Sequence, residues 1–203
     1  IKILRKIVGK KVFIIEDSAQ SHFASSCKNC MNSDHTFCFK KEKSHKYADL
    51  SCYSFYPSKN LGAYGDGGFI GTSIKKYADR ATELRKYGMR KFYYSEEHGI
   101  NSRLDEVQAA IINLKLKKLK KWISQRRKIA NIYNELLKDT SLVLPRENKK
   151  NFHSYYAYVV NHQRRKNIMY KLKKNNIYCN ISFPFPIHLM RGYSYLKYKK
   201  SDF

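Results

Sequence analysis

An α/β fold is predicted for this 203-residue chain by three features of its sequence. A short apolar run, Val12 to Ile15, ends in two carboxylates, Glu16 and Asp17. Two more short apolar stretches, Leu50 to Phe55 and Phe69 to Thr72, bracket a glycine-rich segment. Apolar residues then recur at helical spacing from Lys75 to Tyr87, and again over a long segment from Ser102 onward. Short buried strands interleaved with helices are the pattern of layered α/β architectures.

Val12 to Ile15 reads as a buried parallel strand, since three of its four residues are β-branched. Carboxylates that face a ligand in α/β folds sit just past such strand ends. Residues 21–49 are polar and irregular and read as a long loop. The helix from Lys75 places Tyr77, Ala81, Leu84 and Tyr87 on one face and is stopped by Gly88. In the long helix Ser102 can cap the start, and Asp105 and Glu106 favour its positive end. Leu104, Val107, Ile111 and Leu114 form its first stripe, continued by Leu119, Trp122, Ile123, Ile129, Tyr133, Leu136 and Leu137. A helix of this length bridges two units, and a boundary is expected near residue 122, inside or at a bend of that helix, giving domains of 1–121 and 122–203. In the second, Phe152 to Val160 reads as a strand and Asn167 to Asn175 as a helix.

The charge is extreme: 41 basic against 16 acidic residues, a net +25. Such a field attracts phosphates of any kind. The lysines run from Lys2 to Lys200 without gathering on one segment, which argues against nucleic acid as the main partner. No run of about 18 apolar residues exists, so no membrane helix is expected. Five scattered cysteines fit free thiols in a cytoplasmic protein. Cys27, Cys30, His35 and Cys38 could form a tetrahedral zinc set, but the spacing is short, and solvated loop cysteines are the preferred reading.

The chemistry concentrates in Ser54-Phe55-Tyr56-Pro57-Ser58-Lys59-Asn60-Leu61-Gly62-Ala63-Tyr64-Gly65-Asp66-Gly67-Gly68. One lysine stands in a loop loosened by four glycines and flanked by hydroxyls. A lysine so held suits a covalent bond to a carbonyl partner, a Schiff base. The plain alternative is a glycine-rich turn carrying a solvated lysine.

Three blocks in order, "EDSAQ" (16–20), "SFYPSKNLGAYGDGG" (54–68) and "GINSRLDEVQAA" (99–110), with a weaker "FPFPIH" (183–188), resemble the DegT/DnrJ/EryC1/StrS family of sugar aminotransferases. The resemblance runs over nearly the whole chain. It implies the aspartate-aminotransferase type of pyridoxal-phosphate fold (fold type I), with an incomplete large domain and part of a small one. It implies pyridoxal 5'-phosphate as cofactor and transfer of an amino group, expected from glutamate, to a keto group of a nucleotide-linked sugar, as in polysaccharide biosynthesis. It also implies a homodimer with shared sites.

Residue by residue, Lys59 matches the family's cofactor-binding lysine, and an amine there argues for transamination over the family's dehydratase branch. Asp17 matches the carboxylate paired with the pyridine nitrogen; alternation points Glu16 to the opposite face. Gln20 matches the glutamine beside the cofactor ring, and Ser54 a hydroxyl on its phosphate. Asn101 matches an asparagine that reaches the phosphate of the neighbouring subunit's cofactor, while Arg103 anchors the same loop. His188 falls where the family's proline-rich loop approaches the sugar. Against the family pattern, the chain begins just before the "ED" strand and stops before the last strand and helix. The glycine soon after "AQ" is replaced by Phe23 or a neighbour, and the loop to Ser54 is long. A fragment without activity of its own is therefore expected. An inactive remnant or partner subunit, and a basic zinc- or nucleic-acid-binding module, are the alternatives.

Overall fold

Helix α1 (Lys2–Val8) opens the chain, a short element that the apolar pattern does not announce. The computed structural model describes residues 1–25, 47–149 and 151–202. Arg5 of α1 donates to the Tyr47 carbonyl at 2.8 Å and to Asp49 Oδ2 at 2.5 Å. The same carboxylate oxygen accepts the Ile14 amide at 2.7 Å. One cation and one anion thus join α1, the entry to β1 (Ile15–Asp17) and the entry to β2 (Leu50–Ser54). The Ile14 amide, with the Arg5 guanidinium, holds the Asp49 carboxyl below its ordinary pKa.

β1 pairs parallel with β2, Asp17 opposite Cys52, and β2 pairs antiparallel with β3 (Gly68–Gly71). The first strand lies later than expected, and it is not buried. Of Val12 to Ile15, only Ile14 is buried. Among the described residues β1 lies at the edge of the three-stranded sheet, and Phe13, just before it, packs edge-on against Tyr77. Glu16 and Asp17 do point to opposite faces: Glu16 accepts the Ser51 hydroxyl at 2.9 Å, whereas Asp17 folds back on the Ala19 amide at 3.0 Å.

Helix α2 (Lys75–Leu84) follows, ending three residues earlier than the expected Tyr87. Gly88, at φ 72°, turns the chain back with its amide on the Glu83 carbonyl. A small hairpin, β4 (Met89–Lys91) and β5 (Tyr94–Ser95), leads to α3 (Glu106–Leu137). Asp105, not Ser102, occupies the N-cap of α3. The buried stripe keeps the expected Leu119 and Ile123 but departs from the expected one in its first turns. Ile112, Leu119, Ile123 and Ala130 are buried, while Val107 and Leu114 are 68% and 64% exposed.

α3 runs continuously through residue 122, and by contacts the chain forms two compact units, Ile1–Val160 and Asn161–Phe203. The strand expected over 152–160 does not form. Only Phe152 makes a β-bridge, to Ser25. Tyr155 turns left-handed at φ 46°. Side chains take the amides a strand would use: Glu147 accepts from His153 at 2.6 Å, and His153 Nδ1 accepts from Tyr155 at 2.9 Å. The second unit contains α4 (Arg165–Lys174) and two 3-10 turns, Ile187–Leu189 and Arg191–Leu196.

The core of the first unit gathers Phe23, Leu61, Ala63, Ile112, Leu119 and Ile123, with Phe55, Leu104, Leu116 and Phe152 against it. Two of these, Leu61 and Ala63, belong to the glycine-rich lysine loop, which is therefore core on one side. Gly62 sits between them, where a Cβ would lie 2.4 Å from the Pro57 carbonyl oxygen. Gly62→Ala is expected to destabilise the unit by about 1–3 kcal/mol, the usual range for an overpacked core. Urea unfolding followed by circular dichroism measures it; a midpoint equal to the parent's would show that the loop gives way freely.

Candidate active site

Because β1 and β2 are parallel, their C-terminal ends lie on the same side of the sheet, where α/β folds bind ligands. Asp17 closes β1 and Ser54 closes β2. Asp17 is exposed, and Cys52 opposite it feels its charge: burial first and Asp17 second push the thiol pKa up. Ser54 Oγ accepts the Tyr56 amide at 3.2 Å, which leaves its proton to donate elsewhere. Five residues on, Lys59 is half-buried, its amide bonded to the Tyr56 carbonyl at 2.9 Å. A solvated lysine on a plain turn is not what the structure shows.

The turn after β1 brings a residue that sequence reasoning missed. The Ser18 amide bonds the Cys52 carbonyl, Ser21 bonds back to Ser18, and Ala24 to Ser21. This tight fold returns His22 beneath the end of β2, where it is 1% exposed. Its ring meets Tyr53 edge-on at 5.8 Å and Phe55 at 6.0 Å. Neither ring nitrogen makes a well-formed hydrogen bond among the described residues. Burial, then the Lys59 charge, lower the pKa of His22 from 6.5 to about 4, against a weak opposing pull from the Ser54 backbone. His22 is therefore a neutral imidazole beside the lysine at neutral pH. Phe23, next to it, adopts φ 65°, a conformation rare outside glycine. This is where the family resemblance calls for a glycine or places one nearby.

From the other side, α3 fixes the loop. Lys115 Nζ donates to the Gly62 carbonyl at 2.6 Å and lies 4.3 Å from the Tyr64 ring centroid. Gln108 accepts the Tyr64 amide at 2.8 Å. Ser58, Lys59 and Asn60 meet residues 154–156: Ser58 Oγ is 3.3 Å from the Tyr156 hydroxyl, Lys59 Nζ is 4.9 Å from the Tyr156 ring centroid, and Asn60 donates to the Ser154 carbonyl at 3.3 Å. Tyr156 could not be found from pattern, because it reaches the loop only through the turn after α3.

The remaining expected residues are more dispersed. Gln20 is exposed in the turn after β1. Asn101 is exposed, accepts from Arg103 Nε at 3.2 Å, and lines a cleft with Cys52, Tyr53 and Phe55. His188 lies in the second unit, its ring edge-on to Tyr198 at 6.4 Å. The zinc set, Cys27, Cys30, His35 and Cys38, falls outside the described residues. Among the described residues no cluster of three or more His, Cys, Asp or Glu could hold a metal ion, and no helix is long and apolar enough to cross a membrane.

The donor set suits pyridoxal phosphate. It offers a carboxylate at one strand end for a ring cation, a serine hydroxyl at the parallel neighbour's end for a phosphate, and a half-buried amine for an aldehyde in the loop that follows. The model of the DegT/DnrJ/EryC1/StrS aminotransferase family matches residues 2–203. The chain belongs to this family. Family members depend on pyridoxal phosphate.

Among relatives, the dTDP-3-amino-3,4,6-trideoxy-alpha-D-glucose transaminase of Micromonospora megalomicea is 38% identical over 200 residues, covering 95% of this chain and 50% of that protein. The UDP-2-acetamido-2-deoxy-3-oxo-D-glucuronate aminotransferase of Pseudomonas aeruginosa is 33% identical, covering 86% of the chain and 45% of the relative. Among solved structures, DesV of S. venezuelae in complex with a ketimine intermediate superposes with a TM-score of 0.82 at 30% identity, over 99% of this chain and 50% of that one. A family aminotransferase from Brucella abortus gives 0.78 at 31% identity, over 95% and 48%. The fold is thus that of the family, fold type I. The chain spans about half the length of the relatives it matches.

Burial of His22 links the stability of this unit to pH. A folded-state pKa of about 4 against 6.5 unfolded means the unfolded state binds more protons between those values. The stability contribution of neutral His22 is complete above pH 6.5, declines as pH falls to about 4, and is level below it. Asp49 loses its contribution only below its unfolded value of 3.8, a separate window. His22→Phe is expected to flatten the decline between pH 6.5 and 4.5 in denaturant titrations. An equal decline in both proteins would assign the acid sensitivity to other groups.

Proposed function

We propose that this chain carries the amine-bearing portion of a nucleotide-sugar aminotransferase. The protein transfers an amino group, from glutamate as donor, to the keto group of a nucleotide-linked sugar. The observation that supports this most is the single edge formed by Asp17 and Ser54 at parallel strand ends, followed by half-buried Lys59. The relatives' names support the substrate class, since several are transaminases of dTDP- or UDP-linked sugars.

Pyridoxal phosphate, when bound, supplies an aldehyde and an electron-withdrawing ring. Lys59 Nζ would hold the aldehyde and, once displaced, would carry the proton between the substrate carbon and the cofactor carbon. The Asp17 carboxylate, a fixed anion at the end of β1, holds a proton on the ring nitrogen. Ser54 Oγ donates to the phosphate, and Gln20 orients the ring. Asn101 reaches the phosphate of the neighbouring subunit, in a cytoplasmic homodimer with shared sites. His188 approaches the sugar. Residues 122–203 take the part of the small domain and residues 1–121 that of the cofactor domain.

Phe23 favours a second reading. A bulky residue held left-handed beside His22 departs from the family's glycine, as expected of a silent remnant or a partner subunit. Two experiments separate the readings. Incubating this chain with pyridoxal phosphate, reducing with borohydride and mapping peptides is expected to place the adduct on Lys59. An adduct elsewhere, with Lys59 unmodified, overturns the site. Fusing the chain to the N-terminal half of the Micromonospora relative is expected to give amino transfer that Asp17→Asn lowers about a hundredfold or more, the usual effect of losing a fixed charge at the reacting centre. A fusion that forms the Lys59 adduct without turnover supports the silent copy.

A further inference from the structure

We propose that Tyr156 is a positioning residue for Lys59: its ring face holds the lysine amine, with Nζ 4.9 Å from the centroid, while its hydroxyl, 3.3 Å from Ser58 Oγ, ties that ring to the loop. The inference rests on the reading of Lys59 as the reacting amine, and it adds a residue from beyond α3 to the site.

A surface lysine passing over a nearby tyrosine is the plain alternative. Three features speak against it. Ser58, Lys59 and Asn60 each contact 154–156, so the contact is a seam between two segments. The tyrosine segment is rigidly held. Arg126 donates to the Tyr155 and Tyr156 carbonyls at 3.4 and 3.2 Å. Arg127 forms a two-pronged bond to Glu147 at 2.7 and 2.9 Å, donates to the His153 carbonyl at 2.7 Å and stacks over Phe152. The lysine segment is held as firmly, by Lys115 and Gln108. Neither wall can move far without breaking bonds to α3.

A π face attracts an ammonium and leaves a neutral amine almost indifferent. Tyr156 therefore gives the displaced lysine a fixed place to rest between its bonds to carbonyl partners. His22, which feels the Lys59 charge, has its pKa lowered to about 4 and so supplies no competing charge at the pH of labelling.

The test reads amine reactivity and needs neither cofactor nor substrate, so its failure is distinguishable from failure of the aminotransferase reading. The chain is treated with limiting trinitrobenzenesulfonate at pH 8, and labelling of Lys59 is followed by peptide mass analysis relative to Lys75. Only neutral amine reacts, so loss of the π face speeds labelling. Tyr156→Leu is expected to raise the Lys59 rate about two- to fivefold, the equivalent of an exposed cation–π contact. Tyr156→Phe, which keeps the ring but loses its tie to Ser58, is expected to fall between the parent and Leu rates. A Leu variant labelled at the parent rate overturns the proposal, and so does a Phe variant labelled as fast as the Leu one. If Tyr156→Leu does not fold, Tyr156→Trp, with the stronger π face, is expected to slow labelling. An unchanged or faster Trp variant overturns the proposal as well.

Discussion

Burial of Leu61 and Ala63, 2% and 0% exposed, in the cluster containing Ile112, Leu119 and Ile123 is the contact on which the site depends. A glycine-rich loop pays a large conformational entropy on ordering. Burying a leucine side chain returns about 2 kcal/mol, and close packing then restricts where the loop can go. Two polar bonds finish the placement: Lys115 on the Gly62 carbonyl and Gln108 on the Tyr64 amide. The same helix, through Arg126 and Arg127, also holds the segment bearing Tyr156. α3 is thus the common support for both walls around Lys59.

A second constraint works at the opposite end of the strands. Asp49 ties α1 to β1 and β2 through Arg5 and Ile14. With β1 and β2 in parallel register, Asp17 lies opposite Cys52, two residues before Ser54, at the same end of the sheet. The tight turn after Asp17 then tucks His22 below β2, where desolvation keeps its ring uncharged. A charged imidazole there would repel Lys59. The chemistry of the edge therefore follows from how far the turn is driven into the core, and Phe23 in its left-handed conformation is part of that drive.

The expected elements that failed did so for identifiable reasons. Val12 to Ile15 has the composition of a central strand, yet β1 is an edge and most of the run is exposed. Apolar content tells that a residue suits burial, not which neighbour will cover it. In α3 the early positions Val107 and Leu114 lost to Ile112 as the buried stripe. Two apolar faces compete on that helix, and only contact with the lysine loop selects one. At 152–160 the β-prone tyrosines and valines were overruled by local acceptors, Glu147 and His153, which captured the amides a strand requires.

The amino-acid sequence by itself determined the chemistry-bearing segments: the lysine loop with its glycines, the carboxylate at a strand end, the α/β class and the family. These are local facts, written in residue type and spacing, and the places of Lys59 in a loop and of Asp17 and Ser54 at strand ends were legible for that reason. His22, Tyr156, Lys115 and Gln108 became visible only in the tertiary structure. Each lies far along the chain from at least one group it serves, and nothing in its immediate neighbours announces the contact. Which side of α3 is buried, how tightly the turn after β1 closes, and which aromatic ring meets the lysine are decided by packing, since packing alone brings distant residues to within a few ångströms.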